Sequence, residues 1–293
     1  MHLLRRIWEL PPREVARRIR RRLFPVAGAD RQRILESPKL MRVQRAYDFL
    51  SRYEAILHRV AGWTPLHFEG RDVVEVGCWP MLGFGPLAIF RGCRSFTAVD
   101  PEVDPTLFND AAIRERYLLG VYKDLCAIYG PPFGFDEYLR RLSADVRPVA
   151  ATITGAGLAA DQFDIALSNS ALEHLDPLAE SITELYRWCR PGARFLHLID
   201  FGNHRGTRNP FSGIYSAGRD DYVRRHGRGI NLARAPEVLA LFREAGFDAG
   251  LAPYYTFPEY YEETVAPDWR DRFGDDDLFL KTAILYGPQP APE

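Results

Sequence analysis

Glu75, Gly77 and Asp100 have the residue types and the spacing needed to grip a nucleoside. Two acids close two apolar runs and a glycine follows the first run, in VVEVGCWPMLGFGPLAIFRGCRSFTAVDP over residues 73–101. A glycine directly after a buried strand permits a sharp turn and lets a ligand approach the backbone. The N–H groups that open the next helix attract a polar or anionic group. An acid about twenty residues further on, at the tip of the second strand, can accept hydrogen bonds from both hydroxyls of a ribose. A second group of residues suits proton transfer. His174 and His204 follow two further apolar runs, and histidine exchanges protons near neutral pH.

The elements that must position these groups follow from the pattern. Residues 73–101 spell strand, glycine-bearing turn, helix and strand, with Pro86 able to open the helix. Trp79 and Met81 stand where a dinucleotide fingerprint would place small residues, so NAD and FAD match poorly. Residues 162–168 read as a strand that brings Ser168 and Asn169 to its tip, where open α/β sheets bind ligands. A helix runs on to Arg190, where Pro191-Gly192 is expected to stop it, and residues 195–200 form the next strand. Residues 236–246 form an amphipathic helix, and two strands close the chain at 247–257 and 279–286.

Four motifs in order, Glu75-Val-Gly77-Cys78, Ala98-Val99-Asp100-Pro101, the run from Phe163 to Leu175, and Arg190-Pro191-Gly192-Ala193, resemble the class I S-adenosylmethionine-dependent methyltransferases. The resemblance spans about residues 70–200, and the succession is more specific than any one motif. It implies an α/β fold with a Rossmann-like, mainly parallel seven-stranded sheet and an antiparallel last strand. It implies S-adenosyl-L-methionine as cofactor, with Glu75 and Gly77 by its methionine end, Asp100 on its ribose, and its adenine near Thr154, Gly155 and Ala156. The residues expected to line the cofactor are Glu75, Gly77, Cys78, Trp79, Asp100, Pro101, Gly155, Ser168 and Asn169.

Methyl transfer to an alcohol also needs a group to take the proton. His174 is the first choice and His204 the second, although a histidine in a Glu-His-Leu turn equally caps a helix or packs. Asp200, Glu173 and Asn203 could hold a divalent cation. Acids at strand ends and helix starts are common without one, and no metal is expected.

Length and composition bound the rest. A chain of 293 residues buries one large core, and a net charge of −1 gives no reason to expect nucleic-acid binding. Cys78, Cys93, Cys126 and Cys189 lack C-x-x-C or zinc spacing and read as reduced thiols. No apolar run approaches a membrane span and the N-terminus lacks a signal-peptide core, so a cytoplasmic protein is expected.

The pattern divides the chain into a helical N-terminal extension and cap (1–64) and a methyltransferase domain (65–293). The domain carries a helical insertion at 102–147, read as a lid or substrate wall, and an acceptor-side region at 201–235. Within 1–25, eight arginines and an apolar stripe at 15, 19 and 23 form a basic amphipathic helix. It contacts an anionic membrane surface or a protein partner, or else packs on its own domain.

The arginines between Arg205 and Arg234 suit a negatively charged acceptor through their planar forks. Tyr254, Tyr255, Phe257, Tyr260 and Tyr261 could stack on a sugar. The stretch from Asp200 to Phe247 also bears a loose likeness to methyltransferases that modify polysaccharides and sugars. The acceptor expected is therefore a small molecule or glycan, methylated on a sugar hydroxyl. The alternatives left open are an N-methyltransferase of an amino sugar or metabolite, and a catalytically idle relative that binds a partner.

Overall fold

The central parallel strands, at 72–76, 95–99 and 163–169, are short, largely apolar runs buried on both faces, as a sheet covered by helices on each side requires. The computed structural model describes residues 35–37, 41, 45–79, 81–104, 106, 109–204, 209–227, 229–256 and 264–288. The expected basic helix in 1–25 lies outside them. So do Arg205, Arg208, Arg228, Phe257, Tyr260 and Tyr261.

The strands are β1 (Asp72–Val76), β2 (Ser95–Val99), β3 (Val146–Val149), β4 (Phe163–Asn169), β5 (Cys189–Asp200), β6 (Gly250–Thr256) and β7 (Leu280–Gly287). They form one sheet in the order β3-β2-β1-β4-β5-β7-β6. β1 to β5 pair in parallel, and β7 runs antiparallel between β5 and β6. The expected seven-stranded sheet with its antiparallel last strand is therefore present. The strand order reverses between β1 and β4, which opens a crevice at their carboxyl ends.

The main helices are α1 (Arg45–Ala61), α2 (Gly85–Phe90), α3 (Leu119–Tyr129), α4 (Phe135–Asp145), α5 (Leu178–Trp188), α6 (Arg219–His226) and α7 (Ala235–Glu244). On α5, Ile182, Leu185 and Trp188 repeat at helical spacing, and all three are buried in the core beside Phe195, Val238 and Phe242. The chain divides into units at 1–42 and 43–293. This joins α1 to the sheet rather than to the segment before it. Of the first unit, Leu35 and Glu36 are helical and Met41 donates its N–H to the Ser37 carbonyl.

The segment 102–147 is not surplus to the fold, because α4 within it runs directly into β3. Two adjacent parallel strands cannot be joined without a crossover, and α4 supplies it. The same segment packs on α2. Phe90 meets Tyr122, Phe133 and Tyr138, and the Tyr138 hydroxyl donates to the Pro86 carbonyl at 2.9 Å. All six residues of α2 are buried for that reason. Finally, β5 starts at Cys189, so Pro191 and Gly192 lie inside a strand. A register shift against Phe163 and Ile165 absorbs them.

Candidate active site

Val76 pairs with Val99 on one side and Ser168 on the other, so Gly77, Asp100 and Asn169 emerge together at the carboxyl edge of the sheet. Gly77 adopts φ +72°, and its N–H bonds the Val99 carbonyl at 2.9 Å. A Cβ there would lie 2.3 Å from Ala171 Cβ, so the turn admits glycine alone. Glu75 is buried, and its Oε2 accepts the Phe84 N–H at 2.7 Å. Its carboxylate therefore braces the turn from within.

Asp100 is 8 % exposed. Its Oδ2 accepts the Trp79 N–H at 3.0 Å and its Oδ1 accepts the Glu102 N–H at 2.7 Å. An ionised carboxylate offers about four lone-pair sites, so each oxygen keeps capacity for a hydroxyl. Trp79 is 39 % exposed at φ +57°, while Met81 is buried within the turn. Cys78 is buried and burial pushes its thiol well up, so it stays a thiol. Pro101 is exposed, and Gly155 ends a short 3₁₀ turn, Ile153–Gly155, just past β3.

Ser168 Oγ bonds His197 Nδ1 at 2.8 Å. His197 is fully buried, and loss of hydration drives its pKa down to about 3, so it is a neutral packing group. Asn169 Oδ1 accepts from the Tyr53 hydroxyl at 2.7 Å. Tyr53 belongs to α1, where its spacing suggests packing alone. A contact over this sequence distance leaves no local signal.

His174 and His204 come together, with ring centroids 4.8 Å apart. His174 sits in the 3₁₀ turn Leu172–His174 after β4, and its Nδ1 meets the Gly229 carbonyl at 2.6 Å. A carbonyl only accepts, so Nδ1 carries the proton and Nε2 is the basic nitrogen of the neutral ring. His174 is exposed, yet partial loss of hydration lowers its pKa and the His204 charge lowers it further, while the Gly229 bond and the Asp200 charge oppose both.

His204 Nε2 lies 3.4 Å from Asp200 Oδ1 and 3.6 Å from Glu173 Oε1. Burial would raise the Asp200 carboxyl, but His204 and Lys281 outweigh it and hold the group down at about 2. Glu173, 4 % exposed, goes the other way. Burial pushes it up to about 8, with the Asp200 charge adding to the rise. Two neighbouring acids with opposite protonation at neutral pH are a common arrangement in sites that move protons. Lys281 reaches the site from β7, and nothing in its local sequence signals that place.

One segment holds both histidine turns. Asn231 Nδ2 donates to the carbonyls of Leu172 and Leu175, and its N–H donates to that of Glu173. Arg234, 1 % exposed, donates to the carbonyls of Phe201 and Leu232 and to the Tyr215 hydroxyl. Arg219 pairs with Glu237 and Arg224 with Asp221. Of the expected acceptor-binding set, Arg219 and Arg234 are thus engaged within the fold, while Arg224 pairs on an exposed helix face.

Among the described residues Trp79, Leu82, Asp161, Ser170, His204 and Leu232 are the non-glycine residues at positive φ, and all but Asp161 lie in segments that follow the carboxyl ends of strands or clasp them. Such strain persists only where the surrounding packing over-determines it, and it gathers at functional sites.

Residues 134–197 match the family described as a methyltransferase domain. The matched segment runs from α4 through β5 and includes Ser168, Asn169 and His174, but not β1 or β2. No curated protein matches the chain. Among solved structures, the chain is similar to an S-adenosylmethionine-dependent methyltransferase from Mesorhizobium loti. Identity is 15 %, TM-score 0.45, and 82 % of this chain and 97 % of that one are covered. It is also similar to phosphoethanolamine N-methyltransferase 2 of Haemonchus contortus in complex with S-adenosyl-L-methionine. Here identity is 15 %, TM-score 0.43, and 74 % of this chain is covered. The chain spans 43 % of that protein's length. A Thermotoga maritima methyltransferase, described as a possible histamine N-methyltransferase, aligns at 16 % identity and TM-score 0.41, covering 86 % and 95 % of the two chains.

Proposed function

We propose that this protein transfers the methyl group of S-adenosyl-L-methionine to a hydroxyl of a small molecule or glycan. The supporting observation is that Asp100 and the His174–His204 pair stand at one edge of the sheet, on either side of the reversal in strand order. The methyltransferase-domain match over β3, β4 and β5 agrees with it.

The cofactor would supply a methyl group on a positively charged sulfur. Asp100 would accept the ribose hydroxyls with its remaining lone pairs, and the Trp79 N–H that it already holds would keep its plane fixed. Gly77, Cys78 and Trp79 would present backbone to the methionine end, with Glu75 supporting the turn from below. Gly155 would flank the adenine, and Ser168 and Asn169 would close the floor of the crevice.

His174 Nε2 would accept the proton of the acceptor hydroxyl, with His204 second. An in-line displacement needs little more than alignment and the exclusion of water. The choice of a sugar hydroxyl rests on the loose likeness of 200–247 to sugar-modifying methyltransferases. With Arg219 and Arg234 engaged internally, a negative charge on the acceptor has less support than the hydroxyl itself.

Calorimetry with purified protein tests the reading. S-adenosylmethionine and its demethylated product should both bind, and Asp100→Ala should weaken both at least about tenfold, or ~1.4 kcal/mol. No heat from either ligand would overturn the enzyme reading in favour of an idle binding protein. A labelled methyl donor incubated with a pool of sugars and metabolites would then identify the acceptor by mass spectrometry.

A further inference from the structure

Neither oxygen of the buried Glu173 side chain makes a hydrogen bond of normal geometry; the backbone N–H groups of Glu173 and Asp200 lie near enough only to temper the rise in its pKa. A buried carboxyl left in this way costs on the order of 1–3 kcal/mol or more, so something outside the chain is expected to meet it. The nearby groups that could do so are occupied. Lys281 pairs with Asp200, and the Asn231 N–H goes to the Glu173 backbone carbonyl. His204 Nε2 stops 3.6 Å short.

One ligating atom from each of Glu173, His174 and His204 lies within 4.8 Å of the others. The Gly229 carbonyl holds Nδ1 of His174, and this fixes the ring and leaves Nε2 for another partner. An outer hydrogen bond of this kind is what orients metal-bound imidazoles. His204 has a left-handed backbone, φ +53°, and its ring lies beside both Glu173 and His174.

We propose that Glu173, His174 and His204 form a binding site for a first-row divalent transition-metal ion. Two imidazole nitrogens and one carboxylate suit zinc, cobalt, nickel or iron(II), while magnesium and calcium prefer oxygen donors. Metal–ligand bonds of about 2.0–2.2 Å require the three donors to close by roughly an ångström around the ion. Three protein ligands leave a position open to water or to an acceptor hydroxyl, whose acidity the ion would raise. The donor set replaces the Asp200, Glu173 and Asn203 grouping suggested by sequence order, because Asp200 is held by Lys281 and Asn203 Nδ2 donates to the Ser212 carbonyl. The site does not depend on the methyl-transfer reading. In the metal-bound form His174 and His204 are ligands and neither takes the acceptor's proton, so the proton-accepting role given above belongs to the metal-free site.

The test is direct binding of Zn²⁺ and Co²⁺ to the full chain after removal of adventitious metal by chelator. One ion should bind per chain, Co²⁺ should give the absorption bands of a low-coordinate nitrogen-ligated site, and excess Mg²⁺ should not displace it. Glu173→Gln and His204→Gln should each weaken binding about a hundredfold, with circular dichroism and cofactor affinity unchanged. No Co²⁺ bands, ready displacement by Mg²⁺, or wild-type affinity in both variants would each overturn the proposal. The Co²⁺ spectrum of the wild-type protein is decisive even if a variant fails to fold. Cofactor binding is read separately, so failure here is distinct from failure of the proposed activity.

Discussion

The backbone N–H of Trp79 reaches Asp100 Oδ2 at 3.0 Å, tying the turn after β1 to the tip of β2. The large residue that breaks the glycine pattern of this turn is therefore anchored through its main chain, with its indole partly exposed. The carboxylate at the second strand end stays in place beside it.

Asp100→Asn should weaken binding of the demethylated cofactor about tenfold while the protein stays folded. The amide keeps the shape but loses the charge that favours two backbone N–H donors and two hydroxyls. Calorimetry alongside circular dichroism checks it, and unchanged affinity would remove the ribose assignment.

Gly83→Ala should destabilise the protein by about 2 kcal/mol or more, measured by urea unfolding. The residue sits at φ +45°, and an added Cβ would come within 2.0 Å of Glu75 Oε1. Since the Glu75 carboxyl also holds the Phe84 N–H, it has no free direction in which to retreat.

Tyr53→Phe should cost about 1 kcal/mol of stability, the usual net worth of one hydrogen bond. It removes the link from α1 to Asn169 and leaves the ring packing on Phe49 and Tyr254 intact. A change no larger than that of a surface substitution would show that α1 is held by its apolar contacts alone.

Arg234→Met should lower turnover while cofactor affinity holds, because the guanidinium fixes the Phe201 carbonyl that opens the His204 loop. Leaving that carbonyl without its donor should also cost about 1–3 kcal/mol in unfolding experiments. Equal losses in cofactor binding and turnover would point to a general collapse.

Asp72→Asn should destabilise the protein most near neutral pH and make its stability less sensitive to acid. Arg94 holds the Asp72 carboxyl well below the usual carboxylate range against the opposing effect of burial, with Ser95 and Arg190 assisting. A depressed folded pKa stabilises the native state above the unfolded value of about 4, and this contribution is lost as pH falls below it. The variant's deficit in melting temperature should therefore be full near pH 7 and shrink below about pH 4. A deficit that does not change with pH would mean that packing, and not charge, is at stake.

Strands, helices and the glycine turn after β1 are written locally. Alternating and continuous apolar runs, a glycine at Gly77 and the acids at Glu75 and Asp100 depend on neighbours a few residues away, and such spacing can be read along the chain. The crossover role of α4 is harder to see. It depends on β2 and β3 being adjacent and parallel, a relation between strands that no single stretch records.

By itself, then, the sequence determined the sheet's makeup and the tip positions of Gly77, Asp100, Ser168 and Asn169. Only the tertiary structure decided that His174 and His204 face each other, that Glu173 is buried beside them with neither side-chain oxygen in a hydrogen bond of normal geometry, and that Tyr53 reaches Asn169. The reason lies in how burial and pairing arise. Strand periodicity is a property of consecutive residues, whereas desolvation and side-chain contact depend on which distant segments, here 229–234 and α1, the fold lays across a turn.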